Sequence, residues 1–251
     1  MVKGLSRSPL LNGAPMPVRS RSVVYSGLLA GAVAAAGLVM PMAASGNVGA
    51  GDDYTSIFAD GNLKGAGWAS CPTAIVWDAD VAELSPRGAT NAISDLDWAL
   101  TTWGKAAGLP VTRGMALPLK YDDASATVSS GAAPGGRKIY VKFVQDKDSN
   151  YMSGRVVGVA TPTSVIPTNA EVITGSAAFR VDYLEYANKS ESRTLLLHEL
   201  GHALGLGHSN DKQSVMFPIV TSTTKLSAGD IAGIKAFTKS CDPAVAVQRG
   251  Q

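Results

Sequence analysis

Apolar residues recur along this chain in two rhythms, a two-residue and a three-to-four-residue repeat, and each change of rhythm marks a new element. Ile75 and Trp77 alternate with their neighbours as in a short strand. Ala89, Ala92, Ile93, Leu96, Leu100 and Trp103 then follow helical spacing, with Gly108 and Pro110 as the stop. Leu117, Leu119 and Tyr121 alternate again, and so do Ile139, Val141 and Phe143, against Lys138, Tyr140 and Lys142 on the other face. Both runs predict half-buried strands. Val156 to Thr161 is a further strand candidate, Pro162 and Pro167 break the chain, and Phe179, Val181 and Tyr183 form the last alternating run. Four or five strands and one helix are thus expected before residue 190. There a largely buried helix begins, with Ser190 as N-cap, Glu191 in its first turn and Leu195 to Leu197 along it.

The first 50 residues follow another logic. Arg19 and Arg21 precede an apolar run from Val23 to Met42, and Ala43, Ala44 and Ser45 follow it. This is the layout of a secretory signal over residues 1–45, with Met16 as an alternative start. The run is also long enough for an uncleaved anchor over residues 23–44, or for a buried helix. Arg-Ser-Arg lacks the adjacent pair of a twin-arginine signal. Residues 46–70, rich in Gly, Ala and Asp, read as a linker or loosely packed arm.

Charge then shifts. The segment carries Lys3, Arg7, Arg19 and Arg21 and no acid, so the net +2 of the whole chain becomes 18 basic against 20 acidic side chains beyond it. A nucleic-acid partner loses its support. The remaining 200 or so residues suit one domain with a well-buried core, over residues 71–241, followed by a tail over 242–251. In an exported chain Cys71 and Cys241 are candidates for a disulfide closing nearly the whole domain, or for two buried thiols.

All three histidines, His198, His202 and His208, lie in one stretch, H-E-L-G-H-A-L-G-L-G-H, with Glu199 beside the first. His198 and His202 are one helical turn apart and can reach a single metal ion, while Glu199 can hold a water there. A continued helix would turn His208 away, but Gly205 permits a positive φ through which the chain can leave the helix and bring it back. Three imidazoles leave zinc an open position, whereas a structural zinc usually has four protein ligands.

The signature H-E-x-x-H-x-x-G-x-x-H is similar to that of the metzincin zinc endopeptidases, position for position. Ser209, Asp211, Ser214-Val215-Met216 and Pro218 resemble their matrixin branch, of the secreted bacterial type. Lys225 to Ile234 looks like the start of that branch's last helix, with Ser227 as N-cap, Asp230 three residues on, and Ile231, Ile234 and Phe237 as its buried stripe. The resemblance implies an α+β zincin fold: a twisted, mixed sheet of four to five strands, three main helices, an active-site helix and a Met-turn. It further implies a monomeric enzyme with one catalytic zinc on His198, His202 and His208, and Glu199 as general base toward water in peptide-bond hydrolysis. Met216 becomes a hydrophobic floor beneath the metal, or else an ordinary core methionine.

The departures matter too. No histidine is left for the second, structural zinc of animal matrixins. Cys71 stands in Ala-Ser-Cys-Pro rather than in the family's latency sequence, which leaves a thiol switch as a third reading of that residue. Asp146 and Asp148 lie where the family often binds calcium, and otherwise form a solvated loop. The expected substrates are extracellular proteins or peptides, laid along an edge strand for which Val156 to Thr161 is the candidate. The loop from Ile219 to Lys225 is expected to line the primed-side pocket. The alternative function is a catalytically inactive zinc-binding or cell-surface module, which would have no use for Glu199.

Overall fold

A computed structural model describes residues 54–57, 67–68, 74–131, 138–154, 156–166, 171–219 and 222–238. The signal or anchor, most of the linker, Cys71, Cys241 and the tail lie outside the described residues. No helix among the described residues is long and apolar enough to cross a membrane.

Strand β1 (Gly67–Trp68) is followed by β2 (Ile75–Asp80), α1 (Pro86–Ala107), β3 (Val111–Ala116), β4 (Lys120–Asp122), β5 (Thr127–Ser129), β6 (Lys138–Val144), β7 (Gly158–Ile166) and β8 (Glu171–Arg180). Helices α2 (Val181–Tyr186), α3 (Lys189–Ala203) and α4 (Ala228–Thr238) complete the order. The main sheet runs β1-β8-β6-β2-β3, with its neighbours parallel, and β7 joins β8 antiparallel. It is the mixed sheet with three main helices that the motif implied, with a sixth, two-residue strand added.

Helix α1 starts earlier than its apolar repeat, because the Ser85 side chain caps Gly88 N–H and Pro86 suits the first turn. It stops at Gly108, φ 72°, as the sequence predicts. Leu96, Leu100 and Trp103 of α1 share one core with Trp77, Ile139, Val141, Phe143 and Phe179 of the sheet and Leu195 to Leu197 of α3. Trp103 Nε1 donates to Leu197 O at 3.0 Å, which joins α1 to the helix bearing the histidines.

Several expectations are corrected. Strand β6 is not half-buried: Tyr140 and Val144 on its second face pack with Leu119, Val128, Met152 and Ala178 under the β4–β5 hairpin. Lys138 and Lys142 reach across to the buried Asp78 and Asp80 of β2, at 2.8 and 2.6 Å. Asp80 also accepts Leu119 N–H at 2.9 Å. Burial alone would raise its carboxyl, but that N–H and the Lys142 ammonium hold it below the usual range. Leu117 to Tyr121 is therefore not one strand, since the Leu119 N–H is given to a carboxylate instead of a ladder.

Phe179 to Tyr183 is likewise split between the end of β8 and α2. Pro162 does not break the chain. It lies within β7, beside a register irregularity on a strand paired only to β8 among the described residues, where a missing N–H is tolerated. Residues 54–57 are not a loose arm: Ser56 forms an antiparallel bridge with Leu206.

Candidate metal centre

Helix α3 is capped by Asn188, not by Ser190. The Asn188 side chain accepts Ser190 and Glu191 N–H, and the Glu191 carboxylate returns to Asn188 N–H at 3.1 Å. Every residue from Thr194 to Ala203 is buried, so the helix carries its polar side chains inside the domain. A buried polar side chain needs a partner, and those partners define the site.

His198 and His202 meet across one turn, with Nε2 atoms 3.2 Å apart. The helix ends at Ala203, Gly205 takes φ 107°, and the chain swings back to bring His208 Nε2 within 3.2 Å of His202 Nε2. The positive φ predicted at Gly205 is present. His198 Nδ1 bonds Val215 O and His202 Nδ1 bonds Leu206 O, each at 2.7 Å. A carbonyl only accepts, so both Nδ1 atoms carry the proton and both Nε2 atoms present lone pairs.

Burial, then the His208 charge, lowers His198 to about 3; burial and both neighbouring rings lower His202 well below the ordinary value; burial lowers His208. Three neutral imidazoles thus gather within 4.8 Å, and among the described residues no other group of three or more potential ligands is assembled. Facing lone pairs repel unless a cation lies between them. Tetrahedral zinc with Zn–N bonds of about 2.0–2.1 Å sets its ligand atoms about 3.3 Å apart, so the residues present fit that ion.

Glu199 points from the same helix and is 3 % exposed. Burial raises its carboxyl to about 8. Tyr151 lies close enough that its hydroxyl is raised by burial and, next, by the Glu199 charge. The carboxylate packs on Gly158, where a Cβ would stand 2.8 Å from Glu199 Cγ and 3.0 Å from Oε1. No local pattern in the sequence marks Gly158. Its missing side chain is legible only once β7 lies against α3.

Met216 is buried, with its sulfur against Gly201, the residue before His202. The Met-turn is held from α4. The buried Asp230 carboxylate accepts Ser214 Oγ, Val215 N–H at 3.1 Å and Ser227 N–H at 2.7 Å, and Ser227 Oγ accepts Asp230 N–H. The capping box expected at Ser227 is present, but Asp230 also holds the N–H of Val215, the residue whose carbonyl orients His198. Ser209 and Asp211 shape the intervening turn: Ser209 N–H donates to Met216 O at 2.9 Å, and Asp211 N–H to Ser209 Oγ at 3.0 Å.

Asp146 and Asp148 form a 3-10 turn apart from the histidines, with side chains more than half exposed. Asp146 faces Arg180 at 3.9 Å and Asp148 faces Lys147 at 3.7 Å.

Comparison with known proteins agrees with this geometry. A 44-residue segment is 57% identical to macrophage metalloelastase of Oryctolagus cuniculus, covering 16% of this chain and 10% of that protein. A 72-residue segment is 43% identical to the macrophage metalloelastase of Rattus norvegicus, covering 26% and 15%. A 45-residue segment is 42% identical to metalloendoproteinase 1 of Glycine max, covering 17% and 15%. The chain therefore matches between a tenth and a seventh of the length of these relatives. The sequence model of the matrixin family matches residues 112–238, about half of the chain and all of the histidine site; the chain belongs to the matrixin family.

Proposed function

We propose that this chain is a secreted zinc-dependent endopeptidase that hydrolyses peptide bonds of extracellular proteins. The observation that carries the reading is the buried carboxylate of Glu199 beside three neutral imidazoles whose Nε2 atoms converge. His198, His202 and His208 are the zinc ligands, and Glu199 is the general base. Zinc bound there supplies Lewis acidity toward a peptide carbonyl and lowers the pKa of a water toward about 7.

The rest is done by the chain. Glu199 takes a proton from the attacking water and passes it to the departing amide nitrogen. Burial supports the first step, because a carboxylate in a dry site binds a proton more firmly than one in water, and a cation held by the neighbouring imidazoles would favour its release in the second. Val215 O and Leu206 O keep His198 and His202 in the tautomer that presents Nε2. Strand β7 lacks a second neighbour among the described residues, so its free edge can accept an extended peptide. Gly158 at its start touches Glu199, so a peptide added along β7 passes the base. The loop after the Met-turn lines the primed side, anchored where Ser190 and Thr194 hydroxyls bond the Ser222 and Thr223 carbonyls.

In this reading residues 1–45 are a cleaved signal, Cys71 and Cys241 form a disulfide, and the enzyme is monomeric. The experiment is cleavage of casein or gelatin with and without a zinc chelator, beside Glu199→Ala. Wild-type cleavage abolished by chelation, and a loss of about 10²–10⁴-fold in Glu199→Ala, is expected. Undiminished cleavage by Glu199→Ala refutes the assigned base. A zinc-loaded wild type that cleaves nothing supports an inactive binding module instead. Mass spectrometry of the exported N-terminus tests the signal.

A further inference from the structure

His198 and His202 are held by a helix, but His208 follows the chain's exit from it. Where that exit loop finds its hydrogen bonds decides how well the third imidazole is placed. Within Gly205 to His208, Gly205 N–H bonds His202 O and Leu206 N–H bonds Gly201 O, both in the helix end. Three further bonds tie the loop to one distant segment. Ile57 N–H donates to Gly205 O at 2.9 Å, Gly207 N–H to Thr55 O at 2.8 Å, and the Thr55 hydroxyl to His208 O at 2.5 Å. Tyr54 and Ile57 pack against the main core on either side of these bonds.

The seat is shaped for this segment. A Cβ at Gly207 would collide with Thr55 Oγ1, and a Cβ at Gly233 of α4 would lie 2.9 Å from Tyr54 Cγ and 2.5 Å from Leu206 Cδ2. Real side-chain carbons do not approach that closely, so glycine at both positions leaves room for the segment. The bonds to Gly205 O and Gly207 N–H also bracket Leu206, whose carbonyl holds His202 Nδ1.

We propose that residues 54–57 are a strap that positions the metal-binding loop, with Thr55 as the positioning residue for His208. The inference rests on the zinc reading of the three histidines. The strap acts on two of the three ligands: on His208 through its own carbonyl, and on His202 through Leu206. Groups that orient a ligand rather than touch the metal are commonly worth about 10- to 100-fold in metal affinity.

The test is zinc affinity, measured on the full chain by competition with a chromophoric chelator, together with thermal melting of the chelator-treated protein. Thr55→Val keeps the shape and removes the hydroxyl; Thr55→Ser keeps the hydroxyl. Thr55→Val is expected to weaken zinc binding about 10-fold or more, with Thr55→Ser close to wild type and little change in metal-free melting. Gly207→Ala, whose methyl group displaces Thr55 without changing its chemistry, is expected to weaken zinc to a similar degree. Wild-type affinity in Thr55→Val overturns the proposal, and so does equal weakness in Thr55→Val and Thr55→Ser. A wild-type chain that takes up no zinc overturns the underlying ligand reading, a result distinct from unchanged affinity in the variants.

Discussion

Gly158 of β7 lies directly against the Glu199 carboxylate, 41 residues later in the chain, with no room for a methyl group between them. Gly158→Ala is therefore expected to push the carboxylate off its position while leaving the three imidazoles in place. A displacement of this size costs up to about 10²-fold in kcat. Zinc content by atomic absorption, measured beside kcat, checks it: a variant that keeps its zinc and its activity would show that Glu199 has slack.

Asp230 joins the last helix to the Met-turn. Asp230→Asn replaces one accepting oxygen by an amide nitrogen that would face the N–H groups of Val215 and Ser227 or the Ser214 hydroxyl. The expected cost is about 2–4 kcal/mol, because buried donors lose a charged acceptor. Urea unfolding measures it. Zinc dissociation should also quicken, since Val215 carries the carbonyl that holds His198.

The metal-free protein should be most stable near pH 6.5. The folded histidines lie below their ordinary 6.5, so as pH falls beneath that value the unfolded chain binds protons the folded chain does not, and stability drops. Glu199 runs the other way. Its folded carboxyl, at about 8 against an ordinary 4.5, keeps a proton that the unfolded chain has released, so stability falls as pH rises toward 8. Below pH 6.5 three histidines outweigh one carboxyl; above it Glu199 acts alone, and the fall to pH 8 is about 2 kcal/mol. Urea melts at pH 5, 6.5 and 8 test the maximum, and Glu199→Gln should remove the alkaline decline.

Arg180 holds the approach to β7. Its guanidinium donates to the carbonyls of Met152, Gly154 and Val156 and to Asp182, at 2.7–3.4 Å. Arg180→Ala leaves those carbonyls without that donor, for an expected loss of about 2–4 kcal/mol. Limited proteolysis should then cut within residues 146–157, at sites the wild type protects.

The convergence of His198, His202 and His208, the place of Glu199 beside them and the turn at Gly205 were legible in the sequence, because imidazoles one turn apart share a helix face and the chain must leave its helix to bring the third one back. The apolar rhythm located α1, β2, β6 and the buried α3. It failed where apolar contact and backbone pairing diverge. Leu117, Leu119 and Tyr121 pack on the second core as their alternation suggests, yet Leu119 N–H serves Asp80. Strand β3 is mostly exposed and carries no alternation, so only its pairing with β2 reveals it. Thr55, Gly158 and Asp230 act across long separations, and no local rhythm encodes a contact of that kind.

The three imidazoles and the two carbonyls that orient them all fall between His198 and Val215. An ion there closes short loops, and closing a short loop restrains the unfolded chain less than tying its ends together. Its removal should therefore open one local cooperative unit, the Gly205–Phe217 region, and leave the sheet protected. In hydrogen exchange, chelation would accelerate the amides of that region while β2, β6 and β8 keep their slow rates, so the sheet would outlast the loss of its metal.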